Sequence, residues 1–89
     1  MADQKQVIKL SAREANAANI MKVEIERLLA ATPRRPVRFW ASQIIELVPN
    51  SLDATANVFR YLREFFSKEY ENNISFSNVR WTFRTRRKA

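Results

Sequence analysis

The stretch Val79-Arg80-Trp81-Thr82-Phe83-Arg84-Thr85-Arg86 decides the fold, because apolar and basic residues alternate along it. Val79, Trp81 and Phe83 occupy every second position, and arginines and Thr82 fill the positions between them. Successive side chains of a β-strand point to opposite faces, so a strand here buries one apolar face and carries guanidinium groups on the other. The sequence therefore predicts a C-terminal strand whose solvent face binds an anion.

The charges of this strand are all of one sign. No acidic residue follows Glu71, so no carboxylate nearby in sequence neutralises the arginines. The alternative is an edge strand that uses charge only to prevent aggregation. Such an edge can use Glu as readily as Arg, so the single sign favours a binding function.

Composition limits the chain to one small domain. Its 89 residues are 46% hydrophobic and include six Phe, two Trp and two Tyr, which is enough for a modest core. No apolar run is long enough to span a bilayer, and residues 1–6 lack the apolar stretch of a secretory signal. Without cysteine there are no disulfides, so we expect a soluble intracellular protein of the cytoplasm, nucleoid or nucleus.

The net charge of +7, from 16 Lys and Arg against nine Asp and Glu, favours a polyanionic partner. Nucleic acid is the first candidate. The basic residues cluster around a strand and a proline-containing loop instead of along one amphipathic helix, so we expect no membrane partner. A basic, solvated surface with no partner is the alternative.

The chain has no histidine, cysteine or glycine. It therefore cannot build a Cys/His zinc site, a nucleophile activated by histidine, or a glycine-rich phosphate loop. The nine acids show no clustered pair beside a lysine that would hold a catalytic metal. We expect no catalytic residues, no metal site and no cofactor.

Local signals divide the first half of the chain. Ser11-Ala12-Arg13-Glu14 is a capping box that begins a helix, which should run to about Ala31 before Pro33 ends it. The segment Thr32–Arg38 is a basic loop that carries two prolines, and Val37–Phe39 can form a brief strand.

Two more helices and a hairpin should follow. Apolar spacing predicts a short helix over Ala41–Val48 and a longer one from about Asp53 to Tyr70, which Ser51 or Asp53 would cap. Ile74–Phe76 and Val79–Arg86 then form a hairpin around Ser77-Asn78. The predicted fold class is α+β, mainly α: a three-helix bundle with a C-terminal β-hairpin. Residues 1–10 would be an arm or short strand, 11–86 the domain, and 87–89 a basic tail.

This order of elements resembles a winged helix-turn-helix DNA-binding domain over about residues 12–86. The segment Ala41-Ser42-Gln43-Ile44-Ile45-Glu46-Leu47-Val48 is similar to the first helix of the turn motif. The segment Ala56-Asn57-Val58-Phe59-Arg60-Tyr61-Leu62-Arg63 looks like the recognition helix. The resemblance implies a regulator or architectural factor that binds double-stranded DNA, with the third helix in the major groove and the hairpin over the adjoining backbone or minor groove.

The sequence departs from the family pattern at three positions. Members usually have glycine in the motif turn and at the wing tip, so Asn50 and Asn78 would have to take left-handed conformations here. Trp40 stands where a small capping residue is expected, which leaves the start of the second helix open.

Candidate contact residues fall into two groups. For base edges, the candidates on the third helix are Asn57, Arg60 and Tyr61. For phosphates, the candidates are Arg34, Arg35, Arg38, Ser42, Arg80, Arg84, Arg86, Arg87 and Lys88. Alternatively, Arg60, Glu64 and Lys68 form a salt-bridge series on a solvated helix.

Other partners remain open at this point. The same basic charge suits an adaptor or inhibitor that docks an acidic protein surface of a transcription or replication machine. The segment Arg84–Lys88 would also suit RNA binding as an arginine-rich arm. The aromatic end of the third helix, Phe65, Phe66 and Tyr70, is compatible with either a homodimer or a monomer's own core.

Overall fold

The computed structural model describes residues 9–85. The predicted N-terminal arm up to residue 8, together with Arg86, Arg87 and Lys88, lies outside the described residues. The elements are α1 Ala12–Ala31, β1 Val37–Trp40, α2 Ala41–Ile45, a 3₁₀ turn Ser51–Asp53, α3 Ala56–Glu69, β2 Ile74–Phe76 and β3 Arg80–Phe83.

The fold class is α+β and mainly helical, as predicted, and the described residues form three α-helices and one antiparallel sheet. Within residues 9–85, no helix combines the length and the apolarity needed to cross a bilayer.

Helix α1 begins and ends where the sequence predicts. The Ser11 hydroxyl accepts from the Glu14 N–H at 3.1 Å, and the Glu14 carboxylate accepts from the Ser11 N–H at 2.9 Å. These two bonds close the capping box and satisfy amides that the first turn leaves without helical partners. One face of α1 is buried in the core through Ala17, Ala18, Met21, Ile25 and Leu29.

The sheet has three strands in the order β1-β3-β2, so β3 is central. The predicted brief strand at Val37–Phe39 is confirmed and reaches Trp40. In the register, Phe39 and Phe76 both lie opposite Trp81. The hairpin is therefore only part of the sheet, and β3 is not an edge strand because both of its sides are paired.

The prediction began the second strand of the hairpin one residue too early. Val79 was expected on the apolar face, but it lies in the turn and is 60% exposed, and β3 begins at Arg80. The Ser77 hydroxyl accepts from the N–H groups of Val79 and Arg80 at 3.3 and 3.0 Å, and the Ser77 N–H donates to the Arg80 carbonyl at 2.9 Å. These bonds place Val79 in the turn, one residue before β3 begins.

The prediction that Asn50 and Asn78 replace glycine is wrong. Asn50 is extended, with φ of −123°, and its side chain caps the 3₁₀ turn by accepting from the Leu52 N–H. Among the described residues, the positive φ angles belong to Glu71 and Asn72, at 52° and 65°. They follow α3, where the Asn72 N–H donates to the Ser67 carbonyl at 2.9 Å in a Schellman-type termination.

Helices α2 and α3 are shorter than predicted. Helix α2 ends at Ile45 and not at Val48, because the amides of Leu47 and Val48 bond three residues back, at 3.1 and 3.4 Å. Helix α3 begins at Ala56 and not near Asp53. Its cap is Thr55, whose side chain accepts from the Val58 N–H.

A shared cap joins the starts of α1 and α3. The Thr55 hydroxyl donates to the Glu14 carboxylate at 2.6 Å. That bond lowers the pKa of Glu14, and the Ser11 backbone N–H lowers the pKa further. Arg13 and Asp53 form an ion pair at 3.0 Å beside it, so the two N-termini are held together by polar contacts.

The core between the helices and the sheet is aromatic. Phe66 of α3 is fully buried, with ring centroids 6.4 Å from Trp81 and 5.3 Å from Phe83. Tyr70 is 3% exposed and lies 5.1 Å from Phe83. Phe66 and Tyr70, which suited either a homodimer or a monomer, are thus buried within the chain itself. Their packing holds the sheet against α3.

We expect Phe83→Ala to lower the free energy of unfolding by about 3–5 kcal/mol, because it leaves a cavity beneath the central strand. Val79→Ala, which changes an exposed member of the same alternating series, should stay within about 0.5 kcal/mol of wild type. Urea unfolding followed by circular dichroism measures both. Equal losses for the two variants would contradict the burial difference between these positions.

Glu14 should make the stability of the protein depend on pH. Because its pKa in the folded chain lies below the ordinary value of 4.5, its contribution is present above pH 4.5 and is lost as the pH falls through the folded pKa. Glu14→Gln should therefore be less stable than wild type at neutral pH, and the difference should shrink in acid. Thermal unfolding across this pH range provides the measurement, with Thr55→Val expected to weaken the same acid dependence. A difference that is constant with pH would contradict this role.

Candidate functional site

The solvent face of the sheet is the candidate site. Alternation along the strands places Phe39, Trp81 and Phe83 toward the helices and their neighbours on the opposite face. In the register, Arg38 lies opposite Thr82, Thr82 lies opposite Ser75, and Trp40 lies opposite Arg80. We call this surface, with Arg84 one residue beyond β3, the basic sheet face: Arg38, Trp40, Ser75, Arg80, Thr82 and Arg84.

This face has positive charge without acidic neighbours in the strands. None of the three strands contains Asp or Glu. Within the described part of the chain, neither Arg38 nor Arg84 forms an ion pair, and both are exposed. Thr82 lies between Arg80 and Arg84 along the chain and opposite Arg38, and Ser75 lies on the other side of Thr82, in β2. The arrangement offers hydrogen-bond donors to the oxygens of a phosphate.

Two ion pairs among the described residues lie on or beside the helices. Arg27 and Glu24 pair at 2.6 Å on α1, and Arg13 pairs with Asp53. Acidic residues are thus used where helices need caps and surface pairs. The strands, in contrast, carry arginines and no acidic residue.

Trp40 is a member of this face that sequence reasoning did not select. It is 50% exposed, and the Arg80 guanidinium lies 5.6 Å from the centroid of its ring. Although tryptophan is unusual before a helix, α2 begins directly after Trp40. The Gln43 side chain accepts from the Trp40 N–H at 2.9 Å and so caps the helix. The alternation Val37-Arg38-Phe39-Trp40 contained the signal, since it places Arg38 and Trp40 on one face of a strand.

Arg35 has a structural role. Its guanidinium donates to the carbonyls of Leu29 and Thr32 at the end of α1, and to the Thr85 carbonyl at 3.1 Å. A cation at a helix C-terminus also interacts favourably with the helix dipole. Arg35 therefore joins α1 to the end of β3, whereas its neighbour Arg34 is exposed and forms no ion pair within residues 9–85.

The predicted base-edge residues lie on another surface. Asn57 and Arg60 are exposed on α3, whose opposite side packs through Phe66 on the inner face of the sheet. The basic sheet face points away from α3, so the two groups do not share one face. Tyr61 is half-buried and lines a shallow pocket with Leu10, Ala18 and Lys22 of the α1 region.

The remaining candidate, Ser42, is exposed in the first turn of α2. Among the described residues, no group of three or more acidic side chains is placed to hold a metal ion. The candidate site is thus the basic sheet face. Arg34 lies in the loop before it, and Asn57 and Arg60 lie on a separate surface.

A scan against protein-family models finds no match, and searches of curated proteins and of solved structures also find none. The function is therefore inferred from the contacts, burial and charge of this chain.

We expect Arg35→Ala to lower the free energy of unfolding by about 1–2 kcal/mol, because it removes charged hydrogen bonds between α1 and the end of β3. The matched control is Arg34→Ala, which removes the same charge from the neighbouring residue and should have little effect. Thermal unfolding of both variants tests the difference. If the Arg34 variant loses as much stability, then net charge and not these hydrogen bonds is responsible.

Proposed function

We propose that the protein is a non-enzymatic nucleic-acid-binding protein whose main ligand is double-stranded DNA. The observation that carries the proposal is the basic sheet face, where Arg38, Arg80 and Arg84 are exposed beside hydroxyl groups in strands without acidic residues. Contacts to phosphate supply most of the affinity in such complexes, and they do not depend on base sequence.

The arrangement of elements also supports a winged helix-turn-helix interpretation. The chain order is α1-β1-α2-α3-β2-β3, and β1 pairs with β3 beside the hairpin. In this interpretation α3 reads the major groove through Asn57 and Arg60, and the basic sheet face, which lies on another surface, binds the backbone of a separate stretch of DNA. A small transcriptional regulator or an architectural factor fits this mode of binding.

Replacing Arg38, Arg80 and Arg84 together with Gln should weaken binding to every DNA sequence. The loss of three phosphate contacts should make the slope of log affinity against log salt less negative by about 2.7. Fluorescence anisotropy with a labelled duplex between about 50 and 200 mM salt measures this slope.

The control variant removes the same charge elsewhere. Lys9→Gln, Arg13→Gln and Arg27→Gln together change three exposed cations at or near α1 and should leave most of the slope intact. Arg60→Ala tests α3 separately, since loss of a base contact should reduce discrimination between sequences more than it reduces the slope.

The nucleic acid offered in the titration distinguishes the alternatives. Tighter binding to duplex RNA than to duplex DNA would favour the RNA interpretation. Failure to bind duplex DNA, single-stranded DNA or RNA at low salt would contradict the proposal and leave docking to an acidic protein as the better explanation. An unchanged affinity in the triple variant would show that the sheet is not the contact surface.

A further inference from the structure

Trp40 is exposed where most tryptophans are buried. Half of its surface is accessible, whereas Trp81, whose side chain lies on the inner face of the same sheet, is 1% exposed. An indole left in water gives up the stabilisation that its burial would provide. The position therefore has no evident advantage for folding.

The contacts of Trp40 within the described chain do not explain why this residue is a tryptophan. Its backbone begins α2, but the helix needs only the N–H that Gln43 accepts, and any residue except proline supplies that group. Within residues 9–85, the one ring or cation contact of the indole is with Arg80, and Trp40 is not part of the hydrophobic core. The indole is thus held in place on the surface and remains accessible.

The surroundings of the indole suit a nucleotide. Arg80 lies opposite Trp40 in the register, and Arg38 precedes it by two residues on the same face of β1. Val79, 60% exposed, lies in the turn before β3, and its carbonyl accepts from the N–H of Ala41, the residue after Trp40, at 2.8 Å. In such an arrangement the aromatic ring can stack on a base while the neighbouring cations bind the flanking phosphates.

We propose that Trp40 and Arg80 form a stacking site for an unpaired nucleobase. Bases inside a duplex are already stacked on both faces, so an indole on the surface of a sheet can stack on one only where the strand is unpaired. The protein should therefore prefer a duplex that continues into a single-stranded segment over the same duplex alone. This inference rests on the proposed function, because the arginines of the same face hold the phosphates.

The experiment compares two DNA ligands that differ only in an oligothymidine overhang. We expect wild type to bind the overhang duplex more tightly than the blunt duplex, and Trp40→Ala to lose about 5- to 100-fold in affinity for the overhang form. The loss for the blunt form should be much smaller. Trp40→Phe should retain most of the preference, and Trp40→Leu, which keeps the apolar bulk without the ring, should lose it.

Tryptophan emission gives an independent readout. Stacking on a base should quench the emission of wild type when the overhang duplex is added. In Trp40→Phe the remaining tryptophan is the buried Trp81, so the emission of this variant should change little when the overhang duplex is added. Circular dichroism of each variant confirms that it is folded before binding is measured.

Several results would overturn the inference while leaving the proposed function intact. The first is equal affinity of wild type for the two duplexes. The second is an equal loss on both duplexes in Trp40→Ala. The third is a change from dimer to monomer in Trp40→Ala with unchanged DNA binding, which would assign the indole to a subunit contact. If wild type binds neither duplex at low salt, both the proposed function and the inference fail.

Discussion

The packing of Trp81 and Phe83 against Phe66 determines the direction of every side chain on β3. Because β3 is paired on both sides, a shift of one residue would have to break its register with β1 and β2 together. The same shift would turn Arg80 toward the core, where an unpaired charge is costly. The outward direction of the arginines is therefore a consequence of the aromatic core, and the candidate site depends on that core.

Polar contacts at the helix ends complement this packing. Glu14 closes the cap of α1 and accepts from Thr55, the cap of α3, so one carboxylate stabilises two helix starts. Arg35 donates to the Leu29 carbonyl near the C-terminus of α1 and to the carbonyl of Thr85. Basic residues occur in both layers, whereas the strands contain no acidic residue, so the arginines of the sheet have no carboxylate beside them in the strands.

Periodicity predicted much of this fold, and tertiary contacts decided the rest. The capping box at Ser11 and the alternation at Trp81 and Phe83 are local signals, and both are confirmed. The error at Val79 arose because the Ser77 hydroxyl, and not the apolar pattern, fixes the end of the strand. The structural role of Arg35 could not be predicted, since its partner Thr85 is 50 residues away in sequence.

The two candidate surfaces differ in local charge. On α3, Glu64 follows Arg60 by one helical turn, so a phosphate near Arg60 is also near a carboxylate. On the sheet, the strands around Arg38 and Arg80 contain no acidic residue. Because salt screens charges beyond about 8 Å at physiological ionic strength, attraction depends on neighbours and not on the net charge of the chain. Local charge therefore disfavours an anion less on the sheet than at Arg60, even though Glu46 lines a pocket together with Arg38.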